Sequence, residues 1–475
     1  IASGGNYNTV VGDEAGTAIT TASNNTAVGK SALAANTTGD GNSAFGYNSL
    51  TGNTTGDRNL ALGQNSLAAN TVGDRSVAVG FQALYLQNPS SNTDMYNTAV
   101  GYNAGAAVTT GIQNTLIGGL VGDSITSGGG NTIMGYAAGD ALTTGNSNVA
   151  VGLSALSGDT LGDRAVAIGQ GALNAQNFTS STDNYNVGVG YNAGAAVTTG
   201  VQNTFIGGLA GDAVTTGDSN TAVGHLSLSA NTTGTANVAV GTNALDANTT
   251  ASNNTAVGYA SLGANSTGIN NTTTGAYALF SNTTASYNTA HGYNSLFANT
   301  TGDRNVALGT YALDANTTAS GATALGYNAL SANTTGSTNT GVGFHALNVN
   351  TTGGTNVAVG ASALQANTTA SNNTAVGVSA LAANTTGTRN VSVGNNSLDA
   401  NTTGASNTGV GSYSLTNNTT ASYNTAVGDA ALGNTTTGAN NTALGYNSLL
   451  ASTTGANNVA VGALAGDALT TGGSN

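Results

Sequence analysis

Asn42–Arg58 reads N-S-A-F-G-Y-N-S-L-T-G-N-T-T-G-D-R, and Asn59 starts the phrase again. Gly46 is its fixed point. A glycine recurs every 17 residues from Gly12 to Gly80, from Gly101 to Gly169 and from Gly190 to Gly462, which makes 27 copies. Two intervals, Gly80 to Gly101 and Gly169 to Gly190, are 21 residues long instead. A short period held this strictly marks a stacked architecture, in which no copy can bury its apolar face alone. It overrides the expectation of several domains for a chain of 475 residues. The expected fold is all-β: one continuous parallel β-solenoid or β-roll over residues 1–475, with longer loops in the rungs at 81–101 and 170–190. At about 4.8 Å per rung this is a rod of roughly 130 Å.

Composition narrows the function. Charged residues are 5% of the chain, with one Pro, 71 Gly and no Cys or Trp, so the surface is Asn, Thr, Ser and Gly. The net charge of -13 is spread thinly, and the absence of a basic patch argues against nucleic acid as a partner. No run of residues is long and apolar enough for a membrane span. A disulfide-free polar rod suits an extracellular, cell-surface or virion-surface setting. Asn475 is the first residue of a further copy, which leads to the expectation of a longer fibre or of subunits stacked end to end.

Within one rung, positions are counted from the hinge glycine. The three residues before it, as in Val238-Ala239-Val240, read as a short strand. The residue at −1 is apolar in 25 of 27 copies, the exceptions being Thr274 and His291, and is expected to face a core. The −2 column is Ala or Gly in most copies, a restriction that implies a close second surface, read as a partner chain. Where it grows, at Leu116 and Phe205, the residue at +1 becomes Gly119 and Gly208 in place of the frequent Tyr, as if the two shared space.

Position +4 is Leu in 20 copies and Gly in the other seven. In those seven the residue at +7 is aliphatic (Ile19, Val108, Ile125, Leu142, Val197, Val214 and Leu469), whereas in most leucine rungs it is Asn. One apolar group per rung must therefore fill one gap, supplied from either side of a bend, because empty core volume is destabilising. A packed second strand is the expected reason. Thr-Thr-Gly or Thr-Thr-Ala-Ser follows as a polar bend, and the tolerance of Ala for Gly there argues that positive φ is not required. Asn at −4 in 24 of 27 copies suggests amides stacked along the axis. All five Arg (58, 75, 164, 304 and 389) stand in the next column back, read as an exposed edge.

The repeated V-A-V-G followed by A-L, with Asn at the strand start (Asn237 to Leu245), resembles the head repeats of trimeric autotransporter adhesins and similar repeats of phage tail fibres. The resemblance covers nearly the whole chain. It implies a left-handed β-roll, three identical chains around an axis, and adhesion or receptor contact. The chain departs from that family in its longer rung and in carrying no heptad-patterned stalk, neck or anchoring barrel. Surface adhesin, tail fibre and secreted self-assembling filament therefore stay open, and the host receptor or glycan is unknown.

Candidate contact residues are those of the two longer rungs: Tyr85, Pro89, Met95 and Tyr96 in one, Phe178 and Tyr185 in the other. Tyr at +1 (47, 102, 136, 191, 259, 293, 327 and 446) either stacks on sugars or covers backbone. Asn36, Asn53, Asn231, Asn299 and Asn384 head formal glycosylation sequons that turn chemistry also explains. His291 beside Thr274 is insufficient for a metal site, and no catalytic constellation or phosphate loop is recognisable. The expectation is a non-enzymatic structural and adhesive fibre that needs no cofactor. An ice-binding solenoid is the rival from another class, weakened because adjacent Thr residues cannot both point outward.

Overall fold

The computed structural model describes residues 5–475. The chain divides into two compact units, Ile1–Asn237 and Val238–Asn475; the described residues of each form a parallel β-solenoid, and among them there is no α-helix. Every rung opens with a three-residue strand that ends just before the hinge glycine. In the second unit Val238, Ala239 and Val240 pair in parallel with Thr255, Ala256 and Val257. In the first, the longer rung keeps the same register, Val77 to Thr98 and Val79 to Val100. The four extra residues are thus absorbed outside the main strand.

The hinge requires glycine for two reasons. Its φ is strongly positive, for example +136° at Gly46, a region closed to L side chains. A Cβ there would also lie 2.7 Å from the carbonyl carbon of Gly63, because hinge glycines stack directly on one another. The bend glycines Gly39, Gly56 and Gly73 have no positive φ, in agreement with the Ala tolerance at that position.

Two expectations about faces are corrected. The −2 column is the one that points inward: Ala27, Ala44, Ala239 and Ala426 are completely buried within their own chain. The −1 column points out, with Leu62 46% exposed, Leu308 42% and Leu444 46%. The small −2 residue therefore reports a narrow interior rather than a neighbouring molecule. Leu116 and Phe205 fit there because glycines make room at +4: a Cβ at Gly122 would lie 3.1 Å from Leu116, and one at Gly194 2.7 Å from Phe205. Gly119 lies on the outside, near Tyr136, so it shares no space with Leu116.

The alternation of Leu and Gly at +4 has a clear physical basis. Leu50 (φ +51°) and Leu245 (φ +52°) are left-handed and fully buried, as are most leucines of this column. That conformation costs about 1–2 kcal/mol for a residue with a Cβ. Burying the side chain returns about 1.5–3 kcal/mol. In the glycine rungs the aliphatic at +7 occupies the space: a Cβ on Gly122 would meet Ile125 at 2.8 Å and one on Gly16 would meet Ile19 at 3.0 Å. The exchange is as expected, but the second strand is not. Left-handed residues at +2 and +4, such as Asn48 and Leu50, rule out a strand, so this side is a stack of turns. It is held by rung-to-rung backbone bonds such as Leu50 N–H to Ser66 O (3.0 Å) and Thr54 N–H to Thr71 O (2.8 Å). Among the described residues, only the longer rungs add strand pairing, Gly73–Asp74 with Thr93–Asp94 and Gly162–Asp163 with Thr182–Asp183.

Two amide ladders run through the interior. In the −4 file the Asn42 backbone N–H donates to Asn25 Oδ1 (2.8 Å), while Asn42 Nδ2 donates to the Gly56 carbonyl (2.8 Å). In the +7 file Asn53 Nδ2 donates both to Asn36 Oδ1 (3.0 Å) and to Gly56 O (2.9 Å). Most buried amides of the two files are thereby bonded to a turn carbonyl and to a neighbouring rung, Asn288 Nδ2 and Asn418 Oδ1 being exceptions, which fixes register one rung at a time.

Candidate functional site

Three surfaces and one buried network remain after the scaffold is accounted for. The first surface is the outward −1 file. Its aliphatic side chains repeat at the rung spacing, interrupted by Thr274 and His291, so His291 is an exposed surface histidine and not a core replacement. Among the described residues no group of three or more His, Cys, Asp or Glu could hold a metal ion.

The second surface lies at the two longer rungs, whose candidates divide between inside and outside. Met95 and Pro89 are buried, Phe178 is 5% exposed and Tyr85 is half-buried. Tyr96 and Tyr185 are the exposed rings, at 51% and 49%. Each belongs to the same constellation: Arg75 forms an ion pair with Asp94 and lies 5.6 Å from the Tyr96 ring centre, and Arg164 pairs with Asp183 and lies 5.7 Å from that of Tyr185. Two members of the arginine edge, Arg75 and Arg164, thus have specific partners. A cleft of about 280 Å³ opens beside the second copy, lined by Asn146, Ser147, Asp163, Arg164 and Asp183. Asp163 is committed there, since its carboxylate accepts from Asn146 N–H and Ser181 Oγ, both at 2.6 Å.

Beneath these loops is the network. In both long rungs the +7 residue is Gln, and the residue at −4 in the same rung is Ser76 or Ala165 instead of Asn. Gln87 reaches into the space: Nε2 donates to Ser76 Oγ (2.9 Å) and Oε1 accepts from Asn97 (2.9 Å). Gln176 Nε2 donates to Asp159 Oδ2 (2.6 Å), and Oε1 accepts from Asn186 (2.9 Å). Asp159 is fully buried in the +7 amide file, and burial raises its pKa above the ordinary carboxylate value.

The third surface is aromatic and lies within the second unit. Tyr259, Tyr277, Tyr293, Tyr311 and Tyr327 come from consecutive rungs, alternately from +1 and +2. Successive rings meet edge to face, with centres 5.2, 6.4, 5.6 and 6.3 Å apart. Phe280 and Phe297 stack beside them at 5.6 Å, and Phe344 continues the file 5.8 Å from Tyr327. Reading Tyr by column hid this cluster. The signal was the spacing of 18, 16, 18 and 16 residues between successive tyrosines.

Asn36, Asn53, Asn231, Asn299 and Asn384 are completely buried, and each side-chain nitrogen donates to the carbonyl three residues on. A sugar on that nitrogen is incompatible with the folded rung, so the ladder accounts for these motifs. In the Thr pairs the first hydroxyl is used internally, as Thr37 Oγ1 donates to Thr54 O (3.0 Å), and the second Thr is exposed.

A scan against models of known protein families gives no match, and no curated protein matches the sequence. The site must be judged on its own chemistry.

Proposed function

We propose that the chain is a non-enzymatic, extracellular structural and adhesive fibre, a homotrimer of β-solenoids displayed on a cell or virion surface. The observation that carries the reading is the outward aliphatic −1 file, which repeats through both units and is about two-fifths exposed at Leu62, Leu308 and Leu444. A file of exposed apolar side chains of this kind marks a protein contact. Covering what remains exposed of one such side chain contributes on the order of 1 kcal/mol. Summed over the rungs of a unit, that matches or exceeds an association cost of roughly 4–15 kcal/mol. A contact repeating at every rung also suits identical chains running side by side.

Light scattering on the intact chain is the test. The expected mass is about three times the 45.7 kDa of one chain. Replacement of Leu308, Leu325 and Val342 together by Asn should weaken assembly without touching the buried −2 file. A wild-type mass of 45.7 kDa would overturn the trimer.

One observation favours the ice-binding alternative. From Thr199 to Thr471 the exposed +9 position is Thr in every rung, a regular file of hydroxyls and methyls. Its neighbour at +8 is bound to backbone in most rungs, as in Thr300 Oγ1 to Thr317 O (3.1 Å), which leaves one file where a flat two-file surface is needed. Thermal hysteresis in solutions of the chain would promote this reading over the fibre.

A further inference from the structure

We propose that the aromatic file of residues 259–345 is a binding site for an extended neutral polysaccharide lying along the solenoid. This deepens the adhesive reading by naming a partner class, and it does not depend on the trimer, because one chain carries the whole site.

The argument starts from locality. An interface between identical solenoids repeats along the whole length, as the −1 file does apart from Thr274 and His291, whereas this cluster occupies only the six rungs whose hinges run from Gly258 to Gly343. Something other than self-association must account for aromatic residues concentrated there. The exposed rings are large: Tyr259, Tyr293, Tyr327 and Phe344 are 45–56% exposed. Tyr277 and Tyr311 are half-buried between them and hold them edge to face, so the file is rigid before any partner arrives. Preorganised rings lose little freedom on binding.

The chemistry then selects the partner. The apolar face of a pyranose, with its axial C–H groups, stacks on an aromatic ring, and its equatorial hydroxyls need donors and acceptors at the rim. One rung rises about 4.8 Å, close to the length of one pyranose unit, so a chain of sugars can keep step with the rings. The file itself supplies donors and acceptors: the phenolic hydroxyls of the exposed Tyr259, Tyr293 and Tyr327 both donate and accept. Charge argues for a neutral polymer. Residues 255–345 contain only three charged side chains, Asp303, Arg304 and Asp314, and Arg304 lies over the Tyr287 ring at 5.8 Å. The imidazole at the end of the file, His345, packs against the Phe344 ring at 4.0 Å.

Native affinity electrophoresis of the full chain through gels containing hydroxyethyl cellulose, laminarin, galactomannan or alginate tests the proposal. At least one of the three neutral polymers should retard the chain. Tyr293→Ala with Tyr327→Ala should weaken that retardation at least tenfold, while Tyr136→Ala with Tyr446→Ala, outside the file, should leave it unchanged. Because the chain has no Trp, quenching of tyrosine emission gives a second readout on the same samples. Absence of retardation by all three neutral polymers overturns the proposal, as does stronger binding to alginate or an equal loss in the control pair. A fall in the light-scattering mass of the Tyr293/Tyr327 variant would assign the file to contact between copies and overturn it as well. A failed trimer leaves the electrophoresis unaffected, so the two readings fall separately.

Discussion

The two 21-residue rungs are copies of one insertion, 89 residues apart, solved internally in two different ways. In the first the buried partners of Gln87 are all neutral: Ser76, Asn97 and Asn70, whose Oδ1 lies 3.3 Å from Nε2. In the second Ser76 is replaced by Ala165, Asn70 by Asp159, and Met95 by Asn184, whose Nδ2 donates to the Asp163 carbonyl (2.7 Å). The glutamine keeps its place in both. What the pair teaches is that the extra four residues are tied in by one long amide that bridges the +7 and −4 files, and that its partner can be an amide or a carboxylate. The carboxylate version is the more strained, because a buried charge without a counter-ion relies entirely on its donors.

Removing the bridge should break the two copies unequally. Gln176→Leu keeps the volume but takes the 2.6 Å donor from Asp159, leaving a buried carboxylate with backbone donors such as Gly162 N–H (3.0 Å). A local loss of about 3 kcal/mol or more is expected at neutral pH. Gln87→Leu strands only neutral groups and should cost about 1–2 kcal/mol. A stacked repeat need not unfold as one unit, so the measurement is amide hydrogen exchange in the flanking rungs. Equal protection losses at the two sites would remove the distinction between them.

That bridge was partly visible in the residues. Ser76 and Ala165, two of the three breaks in the −4 Asn column, fall in the rungs that contain the insertions, and Gln87 and Gln176 stand 11 residues after them. Period, hinge and the Leu/aliphatic exchange were legible for the same reason: each is a volume or backbone constraint repeated at every rung. The faces of the strand were not. Three residues give only one alternation, and the size of Leu62 suggested a core while the smallness of Ala61 suggested a close neighbour. The interior of so short a turn is already filled by Leu67 and Asn70, which leaves room for nothing larger than Ala61 and sends Leu62 outward. Left-handed Leu at +4 was equally hidden, since only burial makes that conformation worth adopting for a residue with a Cβ.

Asp159→Asn sharpens the comparison by making the second copy resemble the first. Burial favours the protonated form, so the folded pKa lies above the unfolded one. The carboxyl's contribution is fully present below the ordinary carboxylate range and is lost as pH rises through the folded value. The variant should therefore be about 1–2 kcal/mol more stable than wild type at neutral pH, with the difference shrinking on acidification. Comparing wild type with variant is essential, because Asp314, raised to about 6 by burial, drifts in the same direction in both. Parallel stability curves across the acid range would show that Asp159 is not the strained member.

The outer constellations should prove nearly equivalent, which isolates the difference to the interior. Arg75→Gln and Arg164→Gln each remove one ion pair and one stacked guanidinium, from side chains that are 35% and 49% exposed. Water and salt screen such pairs, so each change should cost no more than about 1 kcal/mol. The cost should fall further in high salt, within the Debye length of roughly 3 Å at 1 M. The residual at high salt is the ring contact alone, and it should match between the two sites because the arginine-to-ring distances, 5.6 and 5.7 Å, are the same to within 0.1 Å. A salt-insensitive loss at Arg164 only would mean that its side chain supports the cleft beside Asp163 and Asn146, and would move the asymmetry from the buried carboxylate to the surface.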